Sequence, residues 1–315
     1  FSSFSALLAA YAVLDKNFYL FCLACFFIGN AMSFTHQYRF AAAESVEKSF
    51  IPKALSIIML ASIFSALLGP NIANFNKDLI NGHLYVGSYL SLAVLTSIPI
   101  IFLSFYSPKT EPVDVKEYKG RSYFELILQP KFLQAVASAA FAYAVMSFLM
   151  TATPINMHVM EHYSLNKTGI VIQLHIVSMF LPSLITGNLI KKFGHSKIIY
   201  AGVALYILTI LLSFLEPSFF NYILALVFLG LGWNFLYLSG TGLLVLSYRE
   251  EEKYKAQGFN DVLVFSIQAL ASLSAGYMLN ITSWKAMNLI TIPFLVLIIF
   301  SSIRADLSKD GKLKN

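Results

Sequence analysis

Most lysines and arginines sit in alternate gaps between long apolar stretches. Ten such stretches are legible, at 1–14, 18–34, 54–72, 86–105, 132–155, 169–190, 198–215, 219–246, 262–279 and 286–303. Counted from the N-terminus, the odd gaps hold only Lys16, Lys77, Lys167 and Lys285; the even gaps and the C-terminal tail hold the other 18 of the 22 cationic residues. Cations resist passage through hydrocarbon and accumulate in cytoplasmic loops. The pattern therefore predicts a polytopic membrane protein that crosses the inner or plasma membrane ten times, with its C-terminus in the cytoplasm.

Composition selects how the membrane is crossed. Apolar residues make up 57% of the chain and charged residues 12%, with a mean hydropathy of +0.69; a soluble domain carries about 25% charge. Most of the stretches are as long as a ~30 Å hydrocarbon core demands of a helix. A barrel would show alternating segments of ~10 residues instead, so the expected fold is all-α. The pI of about 9.1 does not point to nucleic acid, because the basic residues are spread over loops where they meet anionic lipid. Cys22 and Cys25 share one apolar stretch with no second pair nearby. They read as small buried residues rather than as a redox or metal pair, and no cofactor or metal site is expected. The chain opens on Phe1 with no basic segment ahead of the first stretch, which fits a chain without its natural start better than a signal peptide.

The chain also repeats itself. Leu14-Asp15-Lys16-Asn17-Phe18 aligns with Leu215-Glu216-Pro217-Ser218-Phe219, Phe27-Ile28-Gly29 with Phe228-Leu229-Gly230, and Phe34 with Phe235, at a constant offset of 201 residues. Stretches one to four thus read as copies of stretches seven to ten, while five and six have no copy at the front. Between the halves, 106–130 is polar, charged on both signs and punctuated by Pro108, Pro112 and Pro130. Six plus six helices in two parallel repeats is the plan of major facilitator transporters, which the chain resembles over essentially its whole length. The resemblance implies that two helices, about seventy residues by the repeat offset, belong ahead of Phe1. It divides the chain into 1–105 (helices 3–6 of the family plan), a cytoplasmic linker at 106–130, and 131–315 (helices 7–12 and a cytoplasmic tail).

Several motifs carry the resemblance. Gly187-Asn188-Leu189-Ile190-Lys191-Lys192-Phe193-Gly194-His195-Ser196-Lys197 is similar to the family's signature loop. Gly187 would let two helices approach and Gly194 allow a tight turn, while Lys191, Lys192 and Lys197 would anchor at head groups. An acidic residue common in that loop is absent at Asn188 and Lys191. Leu68-Gly69-Pro70-Asn71 resembles the Gly-Pro motif of the family's fifth helix but lacks its following glycines, so a bare proline kink is an equal reading; Ala61, Ser65 and Gly69 form a small-residue stripe on the same helix. The steps Gln173-Leu174-His175, Gly230-Leu231-Gly232-Trp233-Asn234 and Gln257-Gly258-Phe259-Asn260-Asp261 look like a bacterial permease branch, some of whose members resemble flavin permeases.

Polar groups at membrane depth face the bundle interior. Gln173, His175, Asn234, Tyr237 and Gln268 are therefore the candidate hydrogen-bonding members of a solute cavity. Trp233 is either an aromatic wall of it or a packing residue. Histidine as a residue type titrates near neutral pH, so His175 would serve a proton-coupled cycle. His158 and His162 lack the third ligand that a metal needs. Asp261 reads as a helix cap, with proton coupling as the alternative, and Arg39 and Glu44 either help to gate the cytoplasmic mouth or lie in a solvated loop. The resulting expectation is a monomeric secondary transporter of a small solute, working by alternating access with protons as candidate coupling ions. No GxxxxGK[ST] loop is present. The rivals are a transporter fragment inactive by itself and an integral membrane enzyme, for which only His36 and Glu44 offer ionisable groups near one face.

Overall fold

The computed structural model describes residues 1–105 and 120–312, and all regular structure among them is helical. Most of the 106–130 linker therefore lies outside the described residues. The helices are α1 (Ser2–Leu14), α2 (Phe18–Glu44), α3 (Ile51–Phe75), α4 (Val86–Leu103), α5 (Tyr123–Leu128), α6 (Pro130–Ile155), α7 (Leu165–Phe180), α8 (Ser183–Phe193), α9 (His195–Leu212), α10 (Phe219–Val245), α11 (Lys253–Ile281), α12 (Trp284–Ile290) and α13 (Ile292–Lys312). Each of the ten apolar stretches corresponds to one helix or to a consecutive pair. Among the described residues eight segments are long and apolar enough to cross a membrane, and α1 and α4 are shorter apolar helices.

Two stretches read as single helices are broken. α7 stops at Phe180 and α8 begins at Ser183, with Leu181 and Pro182 between them; a proline cannot supply the N–H that would continue the turn. Thr291 likewise separates α12 from α13, whose second residue is Pro293. One helix was hidden inside the polar linker. Ser122 and Glu125 form a reciprocal capping box that starts α5, and the Ser122 N–H draws the exposed Glu125 carboxyl below the usual carboxylate range.

The repeat is visible in the helices themselves. α2 and α10 have the same length and begin and end 201 residues apart. Each is capped the same way: Asn17 accepts from the Leu20 N–H at 3.0 Å, and Ser218 from the Asn221 N–H at 3.2 Å. A side-chain oxygen at this position satisfies a donor the helix cannot. α1 packs on α2 and α4, as α9 packs on α10 and α13.

The contacts separate two compact units. The first comprises Phe1–Ser45 and the stretch from Phe64 through α4; the second takes Val46–Ile63 and everything described from Gly120 onward. α3 contributes its first half to the second unit and its second half to the first. Within the second unit, α6 is the central element, packed against α10, α11 and α13, with α10 also on α7 and α9. In its most apolar 18-residue segment the α6 span has 89% of residues buried and α10 67%, whereas α2 has 6%. The copies differ because α10 is clasped by α6 and α7, and among the described residues α2 packs chiefly on α1. Cys22 and Cys25 lie on that open surface of α2, which corrects the expectation that they are buried.

Candidate functional site

α10 approaches its neighbours through glycines. A Cβ at Gly230 would sit 2.7 Å from the His175 carbonyl oxygen of α7, and one at Gly240 would sit 2.8 Å from the Ala135 carbonyl oxygen of α6. Only a residue without a side chain allows such spacing. The consequence is that the polar and aromatic side chains of α10 are pressed into α6 and α7.

Asn234 lies at the break between α7 and α8. Its Nδ2 donates to the Met179 carbonyl and to Ser183 Oγ, both at 2.7 Å, and its Oδ1 accepts from Thr186 Oγ1 at 2.7 Å. Three bonds from one buried side chain tie the end of α7 to the start of α8. His175 is fully buried on α7, with Nδ1 2.7 Å from the Leu226 carbonyl of α10. A carbonyl only accepts, so Nδ1 carries the proton and Nε2 presents its lone pair. That Nε2 is buried and has no hydrogen-bond partner among the described residues. Gln173, two residues earlier, is exposed on the other side of α7; the two do not meet.

Beside these polar groups the rings form a cluster. Trp233 and Tyr237 stack at 4.9 Å with an interplanar angle of 16°, and Tyr143 of α6 stands edge-on to both, at 5.1 and 4.9 Å. Phe180 meets Trp233 at 5.7 Å and Phe265 of α11 meets Tyr143 at 5.9 Å. Trp233 and Tyr237 are almost wholly buried, so this cluster is closed in the present conformation. The sequence had not singled out Tyr143 or Phe180; a polar-tipped ring inside an alanine-rich span was the available signal for Tyr143. Gln268 is half-buried on α11, one turn before Ser272, whose hydroxyl lies 3.1 Å from that of Thr151 on α6.

The remaining candidates fall elsewhere. Gly187 is packed so closely that a Cβ would lie 2.5 Å from Ser56 Oγ and 2.7 Å from the Pro52 carbonyl of α3. Gly194 has φ 84° and makes the turn into α9. The Lys191 ammonium lies 5.2 Å from the Phe50 ring and that of Lys192 5.1 Å from the Phe193 ring; Lys197 is exposed. In the first unit, α1 to α4 border an open hollow of about 750 Å³ lined in part by Ser3, Thr35, Tyr38, Thr96 and Gly69. Nothing stands within 4 Å of a Cβ at Gly69, and Ala61 and Ser65 are exposed, so the small-residue stripe meets no close helix among the described residues. α3 continues through Pro70 to Phe75, and the Pro70 side chain lies outside the description. Arg39 is buried in the last turns of α2 with its guanidinium 4.5 Å from the Phe40 ring, and Glu44 is exposed at the end of the same helix.

Asp261 is a correction. α11 begins at Lys253, with Glu252 as its N-cap. Asp261 therefore sits in the third turn, buried, accepting from Asn260 Nδ2 at 2.9 Å. It does not cap the helix. The run of charge at 249–255, which falls between two apolar stretches of the sequence, is already a helical turn followed by α11.

The arrangement is a helical membrane unit with an internally repeated plan and a buried polar and aromatic layer. The family model described as Major Facilitator Superfamily matches residues 1–215 and 136–314. The chain belongs to the major facilitator superfamily. This superfamily member is 32% identical over 299 residues to a riboflavin transporter of Brucella anthropi, covering 94% of this chain and 74% of that protein. It is 28% identical over 295 residues to an uncharacterised MFS-type transporter, YddS, of Bacillus subtilis, covering 88% and 67%. Among solved structures, the fucose:proton symporter of E. coli superposes with a TM-score of 0.73 at 14% identity, over 96% of this chain and 82% of that one. A bacterial homologue of the iron transporter ferroportin, in its outward-facing state, gives 0.63 at 12% identity over 97% and 81%. The protein is thus a multi-pass membrane protein of a transporter superfamily. Among the described residues no group of three His, Cys, Asp or Glu could hold a metal ion.

Proposed function

We propose that the protein is a secondary transporter that carries a small, flat, uncharged solute of the flavin type by alternating access. The observation that carries the reading is the buried face of α10, where an indole and a phenol stack on each other, together with His175 of α7, whose buried Nε2 has no hydrogen-bond partner among the described residues. Repeat-built transporters place their solute near the midplane and expose it by movement of one repeat against the other. Rings such as Trp233 and Tyr237 suit a planar heterocycle through face contact, and the relative named as a riboflavin transporter supports that class. In this reading the enzyme alternative falls away, the protein lies in the bacterial inner membrane with its C-terminus in the cytoplasm, and Gln268 contributes a polar contact from α11.

Coupling is assigned to His175. Its Nδ1–H is held by Leu226, so a proton arriving at Nε2 would make the ring a cation in an apolar place, a state that survives only if the surroundings rearrange. The test is uptake of radiolabelled riboflavin by cells expressing the protein from its own gene. Saturable uptake that collapses with the proton gradient supports the reading. Uptake by the wild type should depend on external pH, and His175→Asn should lose that dependence. Uptake no greater than in cells without the gene sinks the solute class, and an unchanged pH profile in His175→Asn sinks the coupling role.

A further inference from the structure

Arg121, in the described part of the linker, donates from its backbone N–H and from all three guanidinium nitrogens. Its Nε donates to Glu252 Oε1 at 2.9 Å and its Nη2 to Glu252 Oε2 at 2.6 Å, while its own backbone N–H donates to Oε1 at 3.0 Å. Nη1 donates to Gln129 Oε1 at 2.8 Å and Nη2 also reaches the Ser247 carbonyl at 3.3 Å. The Glu252 side chain is completely buried in this grip and takes a further bond from the Arg249 N–H at 3.0 Å. Lys255 donates to the Arg121 carbonyl and lies 4.6 Å over the Tyr123 ring. A Cβ at Gly120 would be 3.0 Å from Glu252 Cγ.

The two points joined by this side chain are the Ser247 carbonyl, two residues past the end of α10 at Val245, and Glu252, the N-cap residue of α11. α10 and α11 touch each other little, because α6 packs between them and against both. We infer that Arg121 is a positioning residue for transport: the linker reaches back to fix the spacing of α10 and α11 at this end, through a bidentate pair with Glu252 and a bond to the Ser247 carbonyl just past α10. A planar guanidinium is suited to this task, since its fork satisfies both carboxylate oxygens and still has donors left. The clamp lies ten residues beyond Tyr237, about 15 Å along a helix. It therefore acts on the conformational step and not on solute contacts.

The inference rests on the transport reading, and its test has an arm that does not. In the purified protein, Arg121→Ala should speed hydrogen–deuterium exchange at 246–253 at least tenfold, leaving α9 unchanged. In cells, the same variant should lower the maximal riboflavin uptake per transporter about tenfold with the half-saturating concentration within twofold of the wild type. Arg121→Lys, which keeps the charge but not the fork, should recover part of the rate. Unaltered exchange at 246–253 in both Arg121→Ala and Glu252→Gln would overturn the clamp. Faster exchange with an unchanged maximal rate would overturn its role in transport. Absence of uptake in the wild type would count against the solute class alone, since the exchange arm would still decide the clamp.

Discussion

Asn234 commits every polar atom of its side chain to the gap between α7 and α8. Interhelical hydrogen bonds in membranes average about 0.6 kcal/mol each, so Asn234→Ala should cost about 2 kcal/mol and lower the thermal unfolding temperature in detergent; an unchanged Tm would show that the broken helix does not depend on it. In the sequence, Asn234 and His175 were legible as polar groups too deep in a span to face lipid, and that physical argument holds for both. What could not be read was the direction each would take. One turn of α7 points Gln173 outward and His175 into α10, where Gly230 lets the helices close and the imidazole reaches the Leu226 carbonyl. Asp261 was misread for a related reason: 249–255 is dense in charge, and helical turns made of charged residues leave no apolar period to mark them.

α2 and α10 show how far one element's sequence determines its surroundings. They share length, capping and the glycines Gly29 and Gly230, yet a Cβ at Gly29 would meet nothing within 4 Å, whereas one at Gly230 would run into α7. Gly230→Ala should therefore cost roughly 1–3 kcal/mol by overpacking, while Gly29→Ala in this chain should be neutral or slightly stabilising; thermal unfolding of the two variants measures the difference, and equal losses would contradict the packing account. The hydropathy pattern made the helices themselves legible, down to α1 and α4. It did not show that two stretches are interrupted, because the apolar residues continue across Pro182 and Thr291. The short helix α5 was within reach of the sequence, since Ser122 and Glu125 stand at capping-box spacing, but the polar company of the linker masked it.

At the scale of the whole molecule, the segregation of lysine and arginine determined more than any local motif. It follows from the cost of moving a cation through hydrocarbon, which is independent of what the helices pack against, and so it could be read before any contact was known. The constant repeat offset then grouped the spans into halves. The boundary of the compact units was less accessible, because the first half of α3 takes its neighbours from the second unit, as the contact of Gly187 with Pro52 and Ser56 shows. The topology is the claim on which the transport reading stands. With Cys22 and Cys25 replaced by serine, single cysteines at Lys16→Cys, Lys167→Cys, Lys191→Cys and Lys253→Cys should be probed in intact cells with a membrane-impermeant maleimide. The account predicts that the first two react from outside and the last two react only after the cytoplasmic face is opened; labelling of Lys191→Cys or Lys253→Cys from outside would contradict it.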